Sequence, residues 1–234
     1  MTIIALDVET TGLKPEDGHR IVEIGMVELD ERQLQRTGRL LHKYVNPERP
    51  MSDGAYEVHG LGDDFLKDKP VFSEIAEELL EFVGDCSLLA HNAMFDLGFL
   101  NSELAAVGFE EFHPNRVHDS LRLAREELPQ LTRFNLDALC RHFKIDNSGR
   151  EKHGALLDAE LLADVYFHLL GGDQDLFTQF DNQIHETEDQ AEATRATAAQ
   201  RPATLAPLLT EEEDIAHREA IKQLGEDALW NRWL

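Results

Sequence analysis

The stretch Ile3-Ile4-Ala5-Leu6-Asp7-Val8-Glu9-Thr10-Thr11-Gly12 runs from apolar residues straight into two carboxylates. Ile3 to Leu6 read as a short buried strand, and Asp7 and Glu9 follow directly on it. Residues i and i+2 of a strand point to the same side, so both carboxylates converge. Two close, partly buried carboxylates repel each other, at a substantial cost unless something neutralises them. A divalent cation does this best, and oxygen-only ligands without Cys or clustered His favour Mg²⁺ or Mn²⁺ over Zn²⁺. Asp-x-Glu alone leaves a second reading open, a solvated strand end.

Outward from this stretch, Gly12 and Pro15 punctuate the first connection. Two apolar, β-branched segments, Ile21 to Leu29 and Leu40 to Val45, read as further strands. Phe72 to Phe82 has helical spacing, with Ile75, Leu79, Leu80 and Val83 on one side. Ser87 to Ala90 is a short candidate strand, and a helix is expected from about Ala93 to Val107. Further helices are expected at Ser120 to Glu127, Asn135 to Phe143 and Ala155 to Leu170. Strands first and then mostly helices, with a βα unit in the middle, argue for an α/β or α+β layer fold.

Two more segments join the opening pair. In His91-Asn92-Ala93-Met94-Phe95-Asp96, Asp96 opens a helix and shares its face with Phe99 and Leu100. A carboxylate on an apolar face needs a partner: a metal, a salt bridge or a neighbouring loop that it caps. In His153-Gly154-Ala155-Leu156-Leu157-Asp158, Asp158 lies in the first turns of an apolar helix, beside Leu161 and Leu162. At about 100° per residue, an offset of five keeps His153 and Asp158 off one helical face. His153 is therefore expected on the loop before the helix, with Gly154 giving it freedom to move. An unperturbed pKa near 6.5 suits such a histidine to take a proton from water. A lone histidine is more often structural, so this role rests on the whole set. Four acids and one histidine, in the order Asp-x-Glu, Asp, His-x₄-Asp, fit phosphodiester hydrolysis with two metals roughly 3.5–4 Å apart.

The charge balance runs against a freely acting nucleic-acid binder. The 234 residues include 46 acidic and 22 basic ones, a formal charge of −24 that repels a phosphate backbone. Metal ions bound by some of the carboxylates would reverse the local sign, and a partner could deliver the substrate. Hydrophobic residues make up 42% of the chain, enough for a packed interior, yet no apolar run approaches the roughly 20 residues of a membrane span. Residues 1–9 carry no basic lead, unlike a signal peptide. Cys86 and Cys140 lack a pairing pattern and read as buried free thiols of a reducing compartment, with a disulfide as the alternative. A cytoplasmic protein without membrane partners is expected.

Residues 1–172 read as one folded unit, its last helix closed by Gly171 and Gly172. Residues 173–209 are rich in Gln, Thr, Ala, Asp and Glu, too polar to offset chain entropy, and read as a flexible linker. Structure is expected to resume at Thr210, where Thr-Glu-Glu-Glu makes a capping box opening a helix to about Leu224. The chain then runs to Trp230, Trp233 and Leu234. No internal repeat is present.

Asp7-Val-Glu-Thr-Thr-Gly12, His91-Asn-Ala-Met-Phe-Asp96 and His153-Gly-Ala-Leu-Leu-Asp158 resemble the three exonuclease motifs of the DEDDh family. The resemblance implies a ribonuclease H-like α/β fold, a mixed sheet flanked by helices, here with a flexible C-terminal tail. It also implies two Mg²⁺ or Mn²⁺ ions and 3′→5′ release of nucleoside monophosphates. On the same matching, Asp7, Glu9, Asp96 and Asp158 would be the metal ligands and His153 the catalytic base. Asp7, Glu9, Thr10, Thr11 and Asp158 would meet the terminal nucleotide. His59, in Val58-His59-Gly60, matches another nucleotide-contacting position; a surface histidine is the alternative.

Within the family the likeness is to the proofreading subunits of bacterial DNA polymerase III, carried by Val117-His-Asp-Ser-Leu121, Asn135-Leu-Asp-Ala-Leu-Cys140 and Ile145-Asp-Asn-Ser148. It implies DNA 3′ ends as substrate and a C-terminal tail, residues 210–234, that binds the polymerase alpha subunit through Trp230 and Trp233. Gln174-Asp-Leu-Phe177 resembles a sliding-clamp-binding peptide, with Gln174, Leu176 and Phe177 as its contacts; a chance match in a linker is the alternative. A small third core subunit is a further partner of the kind the resemblance allows. Tethering to polymerase and clamp would supply primer ends at high effective concentration, which answers the charge problem. Gly54 departs from the pattern, standing where such subunits often carry an acidic residue near the nucleotide. Two rival readings stay open: an RNA-trimming exonuclease of the same family, and a non-catalytic scaffold bridging polymerase and clamp.

Overall fold

The computed structural model describes residues 2–30, 32, 35–149 and 152–172. The linker, the capping box and tail, and with them Gln174, Leu176, Phe177, Trp230 and Trp233, lie outside the described residues. Among the described residues five strands form one mixed sheet: β1 (Thr2–Thr10), β2 (Ile21–Asp30), β3 (Gln35–Tyr44), β4 (Ser87–Ala90) and β5 (Val117–Asp119), in the order β3-β2-β1-β4-β5. β1 runs antiparallel to β2 and parallel to β4, and β5 is parallel to β4.

The alternation along β1 sorts its side chains between two cores. Ile4, Leu6 and Val8 pack with Phe72, Ile75, Leu79 and Leu100. These come from α3 (Phe72–Val83) and α4 (Met94–Ala106) on one face. Ile3 and Ala5 point the other way, into a core with Leu139, Leu161, Leu162 and Val165. Those belong to α6 (Leu136–Phe143) and α7 (Ala155–Leu169), with α5 (Ser120–Glu127) supplying Ala124. Helices on both faces of a mixed sheet bury the apolar surface of each layer. Asp7 and Glu9 continue the odd-numbered register of Ile3 and Ala5, and so lie on the face that α7 covers.

Several elements differ from the sequence reading. β1 runs four residues past Leu6, so Asp7 and Glu9 belong to the strand itself, held by the ladder to β2 as far as Thr10. β3 begins at Gln35 rather than near Leu40; residues 35–40 are exposed and show no apolar alternation. The short helices α1 (Asp53–His59) and α2 (Asp63–Leu66) and the three-residue β5 were not expected. α1 is delimited by local chemistry: Ser52 caps its start, accepting from the Ala55 amide, and Gly60 ends it at φ 74°. The expected starts at Ser120 and Asn135 agree with caps on Asp119 and Asn135, whose side chains accept from the Leu121 and Ala138 amides. Cys86 and Cys140 are both free thiols. Among the described residues no helix is long and apolar enough to cross a membrane.

Candidate metal centre

The two strands of the parallel pair are unequal, and the site grows from that mismatch. β4 accompanies β1 only from Ile3 to Ala5, opposite Ser87 to Leu89. Beyond that point the β4 side of β1 lacks a ladder partner, and the first turn of α4 fills the crevice. The Val8 amide there donates to Asp96 Oδ1 at 3.2 Å. Asp96 is 3% exposed, and burial pushes its carboxyl up to about 8, helped by the negative charges of Glu9 and Asp119.

α7 delivers the remaining groups. Glu9, His153 and Asp158 each offer one ligand atom, and these atoms lie within 4.8 Å of one another. Asp158 is 2% exposed and Glu9 is buried, whereas His153 is 46% exposed on the loop before α7. His153 Nδ1 lies 3.2 Å from Asp158 Oδ2, and its backbone amide donates to the Val58 carbonyl on α1 at 3.3 Å. Asp7 is half-buried on the same strand face, outside the 4.8 Å set, as is Asp96.

The approach of α7 depends on Gly25, which faces Asp7 across the β1–β2 ladder. A Cβ on Gly25 would overlap the backbone of Ala155 and Leu156, in the first turn of α7. Sequence reading did not single out this glycine; an isolated glycine inside a strand is the only signal of such close approach.

A cavity of about 620 Å³ opens beside Glu9, between the end of β1 and α1. Thr10, Leu13, Gly54, Val58, His59 and Phe95 are among the residues that line it. Leu13 and Val58 are exposed apolar side chains at its mouth, of the kind a base could stack or lean on. Gly54 has open space where a side chain would stand.

His59 is buried and fully engaged. The Leu61 amide donates to its Nδ1 at 3.0 Å, so Nε2 carries the proton and donates to the Thr10 carbonyl at 3.3 Å. Burial pulls its pKa down, opposed by the bond to the Thr10 carbonyl and reinforced by Lys152 and His153. His59 thus braces α1 against β1 and offers the cavity its ring rather than a donor. Thr11 is also buried and does not line the cavity. Its hydroxyl accepts from the Arg20 amide and bonds His19 Nδ1, while its carbonyl accepts from the Ser52 hydroxyl. The Thr10 hydroxyl donates to the Gly12 carbonyl at 2.6 Å.

Asp119, within Val117-His-Asp-Ser-Leu121, is a further residue that supports the site. Its carboxylate accepts from the Asn92 amide at 3.1 Å and the Leu121 amide at 2.9 Å, tying the turn before α4 to the start of α5. His91 Nδ1 and the Ser120 hydroxyl, 2.9 Å apart, add a second tie. Together they fix the turn that presents Asp96.

The donor set fits a divalent cation. Three buried carboxylates crowd the end of β1, one of them driven toward its neutral form, and His153 is the only basic group in the 4.8 Å set. Oxygen donors with one peripheral histidine suit Mg²⁺ or Mn²⁺.

The family model described as "Exonuclease" matches residues 4–166. DNA polymerase III subunit epsilon of Rickettsia felis (strain ATCC VR-1525 / URRWXCal2) is 46% identical over 224 residues, covering 94% of this chain and 96% of the relative. The subunit of the same name from Escherichia coli (strain K12) is 38% identical over 238 residues, covering 97% and 96%. Among solved structures, the nuclease domain of 3′hExo, a DEDDh family member bound to rAMP, aligns with a TM-score of 0.62 at 21% identity, covering 73% of this chain and 92% of that one. Exonuclease X in complex with 5′ overhanging duplex DNA aligns with a TM-score of 0.57 at 24% identity and the same coverages. These two likenesses show the shared fold.

Proposed function

This chain belongs to the exonuclease family and is a divalent-metal-dependent 3′→5′ exonuclease of the DNA polymerase III epsilon kind; we propose that it edits mispaired primer ends with two Mg²⁺ or Mn²⁺ ions. Asp7, Glu9, Asp96 and Asp158 are the residues that would hold the ions. When bound, such ions lower the pKa of a water and offset charge on the leaving oxygen. The protein's own part follows from the geometry. Glu9 and Asp158 meet where β1 ends, and Asp96 is locked against Val8. His153, on its loop, takes the proton of the attacking water as the water oxygen bonds the terminal phosphorus, the P–O3′ bond breaks, and the leaving 3′ oxygen takes a proton from solvent. Thr10, Leu13, Val58 and the His59 ring shape the cavity for the terminal nucleotide.

The observation that carries this reading is the meeting of Glu9, Asp158 and His153 within 4.8 Å beside a cavity of nucleotide size. A scaffold has no use for buried like charges, which cost stability until neutralised.

The partners of this chain are a DNA substrate and a DNA polymerase III core. In finer detail, residues 210–234, with Trp230 and Trp233, bind the polymerase alpha subunit, and Gln174, Leu176 and Phe177 engage the sliding clamp. A small third core subunit completes the set, and the chain acts in the cytoplasm. The support is that the alignment to the Escherichia coli relative takes in 97% of this chain, and so extends into the tail. Delivery by partners also accounts for an exonuclease with a formal charge of −24.

Digestion of a 5′-labelled primer, matched or with a terminal mismatch, tests the proposal, with an RNA oligomer and an EDTA control alongside. Mg²⁺-dependent stepwise loss from the DNA 3′ end, faster at the mismatch, is expected. Preference for RNA would keep the chemistry and overturn the editing role. Cleavage of neither would overturn the catalytic reading.

A further inference from the structure

Glu23 stands directly across the β1–β2 ladder from Glu9. It is 3% exposed, in the middle of the sheet. Opposed like charges destabilise a strand pair, and a buried carboxylate costs more still. Two residues of β3 flank it there. His42 Nε2 lies 2.7 Å from Glu23 Oε1. Tyr44, opposite Glu23 in the β2–β3 ladder, is its other neighbour on that strand. The phenol itself is pushed up by burial first and by the Glu23 charge second. Glu23, His42 and Tyr44 lie on the strands beyond Glu9 and outside the 4.8 Å set.

We propose that Glu23 is a positioning residue for Glu9: a buried acid directly across the ladder, held by His42 and flanked by Tyr44, that turns the Glu9 carboxylate toward Asp158 and deepens the pull of the site on a divalent cation. The inference rests on the metal-centre reading above and assigns that centre a residue from outside its ligand set. The arrangement explains why an acid is kept opposite an acid. Any group that only filled space or tied β2 to β3 would do so at lower cost without the charge. Repulsion between Glu9 and Glu23 is relieved once Glu9 faces a cation, so the device favours the metal-loaded protein over the metal-free one. Partners outside a ligand set commonly change metal affinity 10- to 100-fold when removed.

The test is Mn²⁺ binding by the full-length chain, read from the loss of the free-ion electron paramagnetic resonance signal, with melting in EDTA alongside. Glu23→Gln keeps a group that accepts from His42 and removes the charge. It should weaken Mn²⁺ binding by about tenfold, while the melting temperature in EDTA stays level or rises. Glu23→Asp, which restores the charge, should recover part of the affinity. Tyr44→Phe, which removes the phenol hydroxyl next to Glu23, should weaken binding less than Glu23→Gln and supplies the test if that variant does not fold. Mn²⁺ affinity within twofold of wild type in Glu23→Gln, or in Tyr44→Phe where that must serve, would overturn the proposal. Failure of the wild-type chain to bind Mn²⁺ would instead overturn the metal centre itself.

Discussion

Gly25 on β2 and Ala155 at the start of α7 are in such close approach that no side chain fits between them. This contact seats the helix carrying Asp158 directly over Asp7, the residue paired with Gly25. Gly25→Ala must lift the first turn of α7, along with the loop holding His153. Overpacking of this kind costs about 1–3 kcal/mol, and a misplacement on the order of 1 Å can lower a rate about 10²-fold. The variant should fold, melt lower, and lose activity in far greater proportion than stability; melting curves and single-turnover cleavage check this.

His153 is outside the core and needs no burial to act, so its removal should spare the fold. His153→Gln is expected to lower the cleavage rate about 10²–10⁴-fold with Mn²⁺ affinity changed only a few-fold. Single-turnover cleavage and Mn²⁺ titration check this; a rate within about tenfold of wild type would assign the proton to another group.

Asp96 gives the metal-free protein an unusual pH dependence. Its carboxyl rises from 3.8 to about 8 on folding, so the native state keeps a proton that the unfolded chain releases. Stability is then fully present below 3.8 and declines as pH rises toward about 8. In EDTA, the melting temperature of wild type relative to Asp96→Asn should fall across that window. Saturating Mn²⁺ should reverse the slope, because the cation binds the ionised form. A flat difference in both conditions would contradict the assignment.

Glu103, on α4, is buried and receives three hydrogen bonds. Arg20 Nε and a terminal guanidinium nitrogen donate at 2.7 Å each, and the Ile21 amide donates at 3.2 Å. The bidentate pair joins the helix of Asp96 to the start of β2. Glu103→Ala should destabilise the protein by about 2–4 kcal/mol, below the upper range for buried pairs because Arg20 is partly exposed. Chemical denaturation measures it.

The sequence was legible where periodicity and burial agree. Asp7 and Glu9 share a face because a strand alternates, Asp96 is buried beside Phe99 and Leu100, and His153 precedes rather than joins its helix. What escaped reading depends on neighbours distant in the chain. The space at Gly25 is set by α7, some 130 residues later. Glu23 meets His42 only once β2 and β3 pair. Asp119 reaches Asn92 across two strand ends. The outer half of β3 faces solvent without alternation, which hides its first five residues, and α1 is too brief to show a helical period. His59 and Thr11 matched the family pattern, but the pattern did not reveal that their polar atoms are bound within the protein.

The most direct test of the metal centre is anomalous scattering from crystals of the full-length chain soaked in Mn²⁺ with a nucleoside monophosphate. Two Mn²⁺ peaks enclosed by Asp7, Glu9, Asp96 and Asp158, with His153 on the substrate side, are predicted. A well-ordered site with no Mn²⁺ among these carboxylates, or Mn²⁺ bound elsewhere, would contradict the account.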